Sequence, residues 1–303
     1  RAFINTLGKE RIVKGDYLKV TETIQFLDSD QKVLFGDCLP ILKEMEDKCI
    51  DLTITSPPYN IGIKYNSYKD NKGRKEYLLW LINIFSEIKR VTKDSGALFL
   101  NVGSSNKDPW IAMDVAQALR DIWTLQNHIV WVKSLSVGDK TFGHFKPLSS
   151  KRFINHLYEH IFHFTKDGNN TIDRIAEGIG VPYADKSNIK RWCKKSDIRC
   201  RGDVWFIPYK TINTKKQKGE HPAIFPEKLV EMCIQLHGFN KDLVVLEPFL
   251  GTGTTLVVTK AMGIKGIGID IDKFYIDFAV ERISNVIILE EGKLLFSTNN
   301  LKG

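Results

Sequence analysis

An α/β fold built on a mostly parallel sheet is what this sequence predicts, and three observations carry the prediction. Short β-prone runs alternate with segments whose apolar residues recur at helical spacing over most of the 303 residues. Ser56-Pro57-Pro58 and Gly251-Thr252-Gly253 sit where expected strands end. The alternation lapses once, over a basic stretch, and then resumes, so that stretch reads as an insertion between two parts of one sheet.

Residues 32–36 form the first expected strand, followed by helical spacing over 39–45. Residues 50–55 are β-branched and stop at Ser56-Pro57-Pro58, where two prolines forbid both a continuing central strand and an immediate helix interior. An amphipathic helix over 76–91 follows from apolar residues at 77, 78, 81, 84, 85 and 88. A strand at 97–102, a helix at 111–122 and strands at 126–132 and 159–164 come next. After the basic stretch, a helix over 225–237 carries Pro226 and Glu227 in its first turn and Gly238 as its C-cap. A strand at 243–246, a helix at 254–262, a strand at 266–270 and a helix at 275–283 complete the pattern.

Composition narrows the class. Apolar residues at 43% and charged residues at 26% describe an ordinary globular protein. No apolar stretch approaches the roughly 18 residues of a membrane span, and residues 1–15 lack the apolar core of a signal peptide. A cytoplasmic protein without a membrane partner is expected. The five cysteines include no CxxC pair, and the spacing of Cys193 and Cys200 matches no zinc motif, so reduced thiols and no metal are expected. The formal net charge is +8, and residues 168–219 alone carry +7, from twelve basic and five acidic residues. With Trp192, Trp205, Tyr183 and Tyr209 interleaved, that stretch suits a polyanion, although a solvated basic surface has the same composition.

Two motifs carry chemistry. Val244–Asp272 runs from a strand through Glu247-Pro248-Phe249-Leu250-Gly251-Thr252-Gly253-Thr254 into a helix, then to a strand ending in Asp270. Glycines between strand and helix let a ligand approach the backbone, and an acid about 20 residues on suits ribose hydroxyls. A close helix–strand turn without a ligand would also use those glycines. Leu256 replaces the third glycine of a nicotinamide site and no phosphate-gripping Lys follows, so a cofactor lacking pyrophosphate, such as S-adenosylmethionine, fits best. The other motif, Ser56-Pro57-Pro58-Tyr59, stands at the end of a strand, where open α/β sheets bind ligands. A side-chain oxygen and a backbone carbonyl accepting both N–H bonds of an exocyclic amino group would localise the nitrogen lone pair for methyl transfer. Tyr59 would stack on a base drawn out of the duplex.

Together, Ser-Pro-Pro-Tyr and Phe-Leu-Gly-Thr-Gly-Thr-Thr resemble the DNA amino-methyltransferases that make N4-methylcytosine or N6-methyladenine, in the motif order of their beta class. The resemblance covers roughly residues 31–166 and 203–285. It implies a Rossmann-like sheet with an inserted basic target-recognition region, S-adenosylmethionine as donor, double-stranded DNA as substrate, and a restriction endonuclease acting separately. Ser56, Pro57, Pro58 and Tyr59 match the catalytic loop, and Phe249, Gly251, Gly253 and Thr254 match the loop at the methionine end of the cofactor. Asp270 matches the ribose acid, with Asp272 as the fallback, and Gly36-Asp37 resembles the contact to adenine. Residues 221–226 (His-Pro-Ala-Ile-Phe-Pro) resemble the segment beside the cofactor, where His221 also suits a helix-entry cap. Glu247 replaces the Asp common before Pro-Phe, keeping the charge one methylene further out.

The expected division is an N-terminal extension at 1–30, a catalytic part at 31–167, the basic insert at 168–219, a cofactor-binding part at 220–292 and a tail at 293–303. Lys190, Arg191, Lys194, Lys195, Arg199 and Arg201 are the candidate DNA contacts within the insert. Cytosine C5 chemistry is excluded because no cysteine follows a proline. Within the family it resembles, Ser at the first loop position leans towards cytosine N4, which the resemblance therefore favours here. Adenine N6 is the alternative, and an inactive nucleic-acid-binding protein on the same fold is a reading of another class.

Overall fold

The computed structural model describes residues 2–5, 9–12, 20–62, 67, 70–143, 145, 149–182, 198–208 and 225–289. In chain order the elements are β1 (Ala2–Asn5), β2 (Lys9–Ile12), β3 (Val20–Phe26), β4 (Gln31–Gly36), α1 (Cys38–Glu44), β5 (Ile50–Thr55), α2 (Arg74–Val91), β6 (Thr92–Val102), α3 (Ile111–Ala118) and β7 (Thr124–Val132). They continue with β8 (Ser134–Val137), β9 (Lys140–Gly143), β10 (Tyr158–Thr165), β11 (Val181–Pro182), β12 (Ile198–Arg199) and β13 (Val204–Phe206). The last are α4 (Glu227–His237), β14 (Val244–Glu247), α5 (Thr254–Ala261), β15 (Lys265–Asp270) and α6 (Lys273–Ser284).

One sheet of eleven strands runs β1-β2-β3-β4-β15-β14-β5-β6-β10-β7-β13. Its centre, β4-β15-β14-β5-β6, is parallel throughout. Neighbouring residues of these strands point to opposite faces, and both faces are buried. Leu98 and Leu100 join α1–α3 on one side, while Ala97 and Phe99 join α4 and α5 on the other. α6 packs beside α5 over Ile24, Phe26 and Val33.

The flanks correct the expectation of a mostly parallel sheet. β3 pairs antiparallel with β4, and β10 pairs antiparallel with both β6 and β7. Four residues separate β3 from β4, too few for the crossover that a parallel neighbour requires. Element boundaries also shift, most at two places. β6 begins at Thr92 rather than 97, and α3 ends at Ala118, with Trp123 donating its indole N–H to the Phe85 carbonyl at 3.0 Å.

Described parts of the basic stretch are built into this frame. β13 pairs with β7, and the Trp205 side chain is buried beside Trp131. Ile172, Ala176 and Ile179 pack in the same cluster, and the Asp173 N–H bonds the Leu236 carbonyl at the end of α4. Among the described residues, no helix is long and apolar enough to cross a membrane, and no group of three His, Cys, Asp or Glu could hold a metal ion.

Candidate active site

The carboxyl ends of β4, β15, β14 and β5 stand side by side, and each delivers one expected residue: Asp37, Asp270, Glu247 and Ser56. Between them opens a cavity of about 410 Å³, which also touches Pro57, Pro58, Tyr59, Phe249, Gly251 and Thr254. Every residue expected in the catalytic and cofactor loops lines it except Gly253.

The glycine loop is held by backbone geometry. Gly251 (φ 50°) and Gly253 (φ 80°) adopt left-handed conformations, and a Cβ on Gly253 would stand 2.8 Å from that of Ala279. The Gly251 N–H donates to Asp270 Oδ2 at 2.7 Å, while Asp270 Oδ1 accepts from the Asp272 N–H at 2.8 Å. Burial pushes the Asp270 carboxyl up to about 6. Arg282, which sequence reasoning did not single out, donates to the Thr252 carbonyl at 2.7 Å and to Thr254 Oγ1 at 3.3 Å. Thr254 is therefore already bonded to the protein through its hydroxyl.

Glu247 faces the cavity but spends both carboxylate oxygens on the protein. Oε1 accepts from Thr55 Oγ1 and from the Phe249 N–H at 3.1 Å, and Oε2 accepts from Thr255 Oγ1 at 3.0 Å. It is 1% exposed, and burial pushes its carboxyl up to about 8. The longer side chain thus ties the strand before Ser56 to the loop before Gly251. Asp37 caps α1 by accepting from the Leu39 N–H at 3.0 Å. Asp272 caps α6 through the Phe274 N–H at 3.0 Å, yet its buried Oδ2 has no hydrogen-bond partner. That orphaned acceptor on the cavity wall suits a hydroxyl-bearing ligand.

The Ser56 loop is held differently. Asp70, buried and ten residues beyond Asn60, accepts from the Asn60 and Ile61 N–H groups at 2.7 and 3.1 Å. Tyr77 Oη donates to the Pro58 carbonyl at 2.7 Å. Tyr59 lines the cavity but is only 8% exposed, and its hydroxyl lies 2.7 Å from Ser56 Oγ. The hydroxyl therefore belongs to the protein's own hydrogen bonding, a use that reading the ring as a stacking surface did not foresee. Trp80 from α2 reaches the cavity wall, its ring centroid 5.7 Å from that of Phe249. No motif marks Asp70, Trp80 or Arg282, because their roles arise from tertiary placement.

Of the six candidate DNA contacts, Lys190, Arg191, Lys194 and Lys195 lie outside the described residues, as does His221. Arg199 is exposed in β12. Arg201 is half-buried and donates to the Ile179 and Gly178 carbonyls at 3.2 and 3.4 Å, so its guanidinium supports the local backbone. A further basic segment emerges at the catalytic edge. β7 ends and β10 begins there, and the segment between them carries Lys140, Lys151 and Arg152 with exposed Val137, Phe142 and Ile154.

The chain is similar to known DNA methyltransferases. The chain is 30% identical over 268 residues to the type II methyltransferase M.ScaI of Streptomyces caespitosus, covering 84% of this chain and 82% of that one. It is 26% identical over 268 residues to the DNA adenine methyltransferase YhdJ of Escherichia coli, covering 86% and 85%. Among solved structures, the cytosine-N4-specific PvuII DNA methyltransferase superposes with a TM-score of 0.63 at 18% identity, over 88% of this chain and 89% of that one. A DNA modification methylase of Thermus thermophilus, complexed with S-adenosyl-L-methionine, gives 0.57 at 21% identity over 88% and 100%. These likenesses give the sheet its class, the Rossmann-like methyltransferase fold. The model of the N6/N4 DNA methylase family matches residues 50–281, and the chain belongs to that family.

Proposed function

We propose that this chain transfers the methyl group of S-adenosylmethionine to the exocyclic amino group of a base flipped out of duplex DNA, with cytosine N4 as the favoured target. The observation that carries the reading is the shared cavity: Ser56, just after β5, and the glycine loop after β14 face one space from adjacent parallel strands. A flipped base and a cofactor must meet in such a space for in-line transfer.

The lining fits the cofactor. Asp270 and the partnerless Oδ2 of Asp272 would accept from the ribose hydroxyls, Asp37 would face the adenine, and Phe249 with the Gly251 backbone would flank the methionine end. When bound, the cofactor supplies an electrophilic methyl group on sulfur. Ser56 Oγ and the Pro57 carbonyl would accept the two N–H bonds of the target amino group, localising the lone pair that attacks. Proline has no N–H to compete, and Asp70 and Tyr77 hold the loop against recoil. The basic segments at 133–157 and 168–219 would bind the phosphate backbone, and a restriction endonuclease would act on the same sites separately.

Adenine N6 is the second reading, favoured by the likeness to an adenine methyltransferase. Both amino groups offer the same N–H geometry to Ser56. Incubation with unmethylated genomic DNA and S-adenosylmethionine, followed by nucleoside mass spectrometry, separates the two. N4-methylcytosine is expected. N6-methyladenine would keep the mechanism and overturn Ser56 as a guide to the base. No methylated nucleoside, with the cofactor still bound, would overturn DNA as the acceptor.

A further inference from the structure

The catalytic loop passes its serine into a chain of hydrogen bonds that ends on other strands. Ser56 Oγ lies 2.7 Å from Tyr59 Oη, which lies 3.1 Å from Glu159 Oε2 and 3.3 Å from Asn101 Oδ1. Lys133 Nζ stands 2.9 Å from Glu159 Oε1, and the two side chains of this pair are 17% and 14% exposed. The Asn101 amide is oriented as well. Its Nδ2 donates to the His160 carbonyl at 3.1 Å, which turns Oδ1 toward Tyr59.

This arrangement decides which way the protons point. A phenol carries one proton, while carboxylate and amide oxygens only accept. Tyr59 therefore gives its proton to Glu159 or Asn101, and the charged Glu159 at the shorter distance is the stronger acceptor. Toward Ser56, Oη is then an acceptor. Ser56 must spend its own proton on Tyr59, and its oxygen lone pairs are left for a donor in the cavity.

An exocyclic amino group is such a donor. A serine proton aimed at that nitrogen would compete for the lone pair that has to attack the methyl group. We propose that Glu159, held by Lys133, is a positioning residue that acts through Tyr59 to fix the Ser56 hydroxyl as a hydrogen-bond acceptor toward the target amino group. The inference rests on the amino-methylation reading above. It adds a residue outside both sequence motifs, one hundred positions beyond Tyr59 and brought to it by the pairing of β10 with β6.

Glu159→Gln tests it while keeping side-chain shape. Lys133 would retain the amide oxygen, so the amide nitrogen would face Tyr59 as a donor. Single-turnover methyl transfer from labelled S-adenosylmethionine to unmethylated genomic DNA is measured for the wild type, E159Q, Tyr59→Phe and the double variant, with cofactor affinity from calorimetry. E159Q is expected to slow transfer about tenfold or more, with cofactor affinity held within about twofold. In the Y59F background the same change is expected to cost nothing further, because Glu159 acts only through that hydroxyl. Glu159→Leu removes the charged acceptor without adding a donor and leaves Tyr59 only the weaker acceptor Asn101 Oδ1 at 3.3 Å, so it is expected to slow transfer by less than E159Q, with cofactor affinity again held. Additive losses, an E159Q enzyme as fast as the wild type, or an equal loss of cofactor binding would each overturn the inference. A wild type that moves no methyl group to DNA would overturn the proposed function and this inference with it.

Discussion

Two neighbouring loops at the carboxyl edge of the sheet are held by different means. The loop after β14 takes its shape from left-handed Gly251 and Gly253, and the Asp270 carboxylate on the Gly251 N–H and Arg282 on the Thr252 carbonyl secure it. The loop after β5 is fixed by side chains from elsewhere: Asp70 on the Asn60 and Ile61 N–H groups, Tyr77 on the Pro58 carbonyl, and Asn101 and Glu159 on Tyr59. A loop whose turn only glycine can make carries its shape as a mark in the local sequence. A loop made rigid by borrowed side chains depends on the whole sheet being assembled.

That contrast can be broken at either loop. The largest effect is expected from Ser56→Ala, which should slow methyl transfer on the order of 100-fold or more while leaving cofactor affinity nearly unchanged. Asp270→Ala should do the reverse, and equal effects of both on rate and affinity would sink the division of labour. Gly253→Ala comes next. Its φ is positive and its new Cβ would meet Ala279, so about 2–3 kcal/mol of unfolding free energy should be lost in denaturant titration.

Asp70→Asn sharpens the comparison. One of its two acceptors becomes a donor facing a backbone N–H, so turnover should fall about tenfold with melting temperature and cofactor affinity little changed. Loss of cofactor binding instead would mean that the two loops are not separately held.

The smallest effect concerns Glu247, which bridges the loops. Burial raises its carboxyl from 4.5 to about 8, so the native state holds the proton more tightly than the unfolded chain does. Its contribution to stability is full below pH 4.5 and is lost as pH climbs through about 8. Between pH 7 and 9 that loss should be about 1 kcal/mol. Glu247→Gln should flatten the decline, and an unchanged pH profile would show that the carboxyl titrates elsewhere.

The same contrast explains what the sequence made legible. Residues 50–55 were readable as a strand because β-branched residues meet a Pro-Pro stop, and the glycine loop because glycine marks positions that other residues cannot occupy. Positioning carboxylates such as Asp70 and Glu159 carry no such mark. Glu159 meets Tyr59 only because β10 runs antiparallel to β6, with His160 opposite Val102, and nothing local to either segment encodes that pairing. The first residues of β6 were missed for a related reason. Lys93-Asp94-Ser95-Gly96 has the composition of a turn, and it forms an irregularity between Thr92, which stands opposite Ile50, and Ala97, which stands opposite Leu52, so only the isolated pair at Thr92 extends the strand. β3 left a weak signal in the alternation of Glu22, Ile24 and Phe26 toward the core. The run at 203–208 became β13 because Trp205 fills a pocket of the core that only the assembled sheet provides.

β13 carries a consequence of its own. Its partner β7 runs parallel to it and ends at the catalytic edge, so the chain leaves the described core at Pro208 on that side. It rejoins the core at Phe225, on the cavity wall just before α4. Phe225 packs against the same buried cluster as Trp205. One patch of core therefore carries both the last strand of the sheet and a wall of the reaction chamber, so a substitution that loosened Trp205 would be felt where the chemistry takes place.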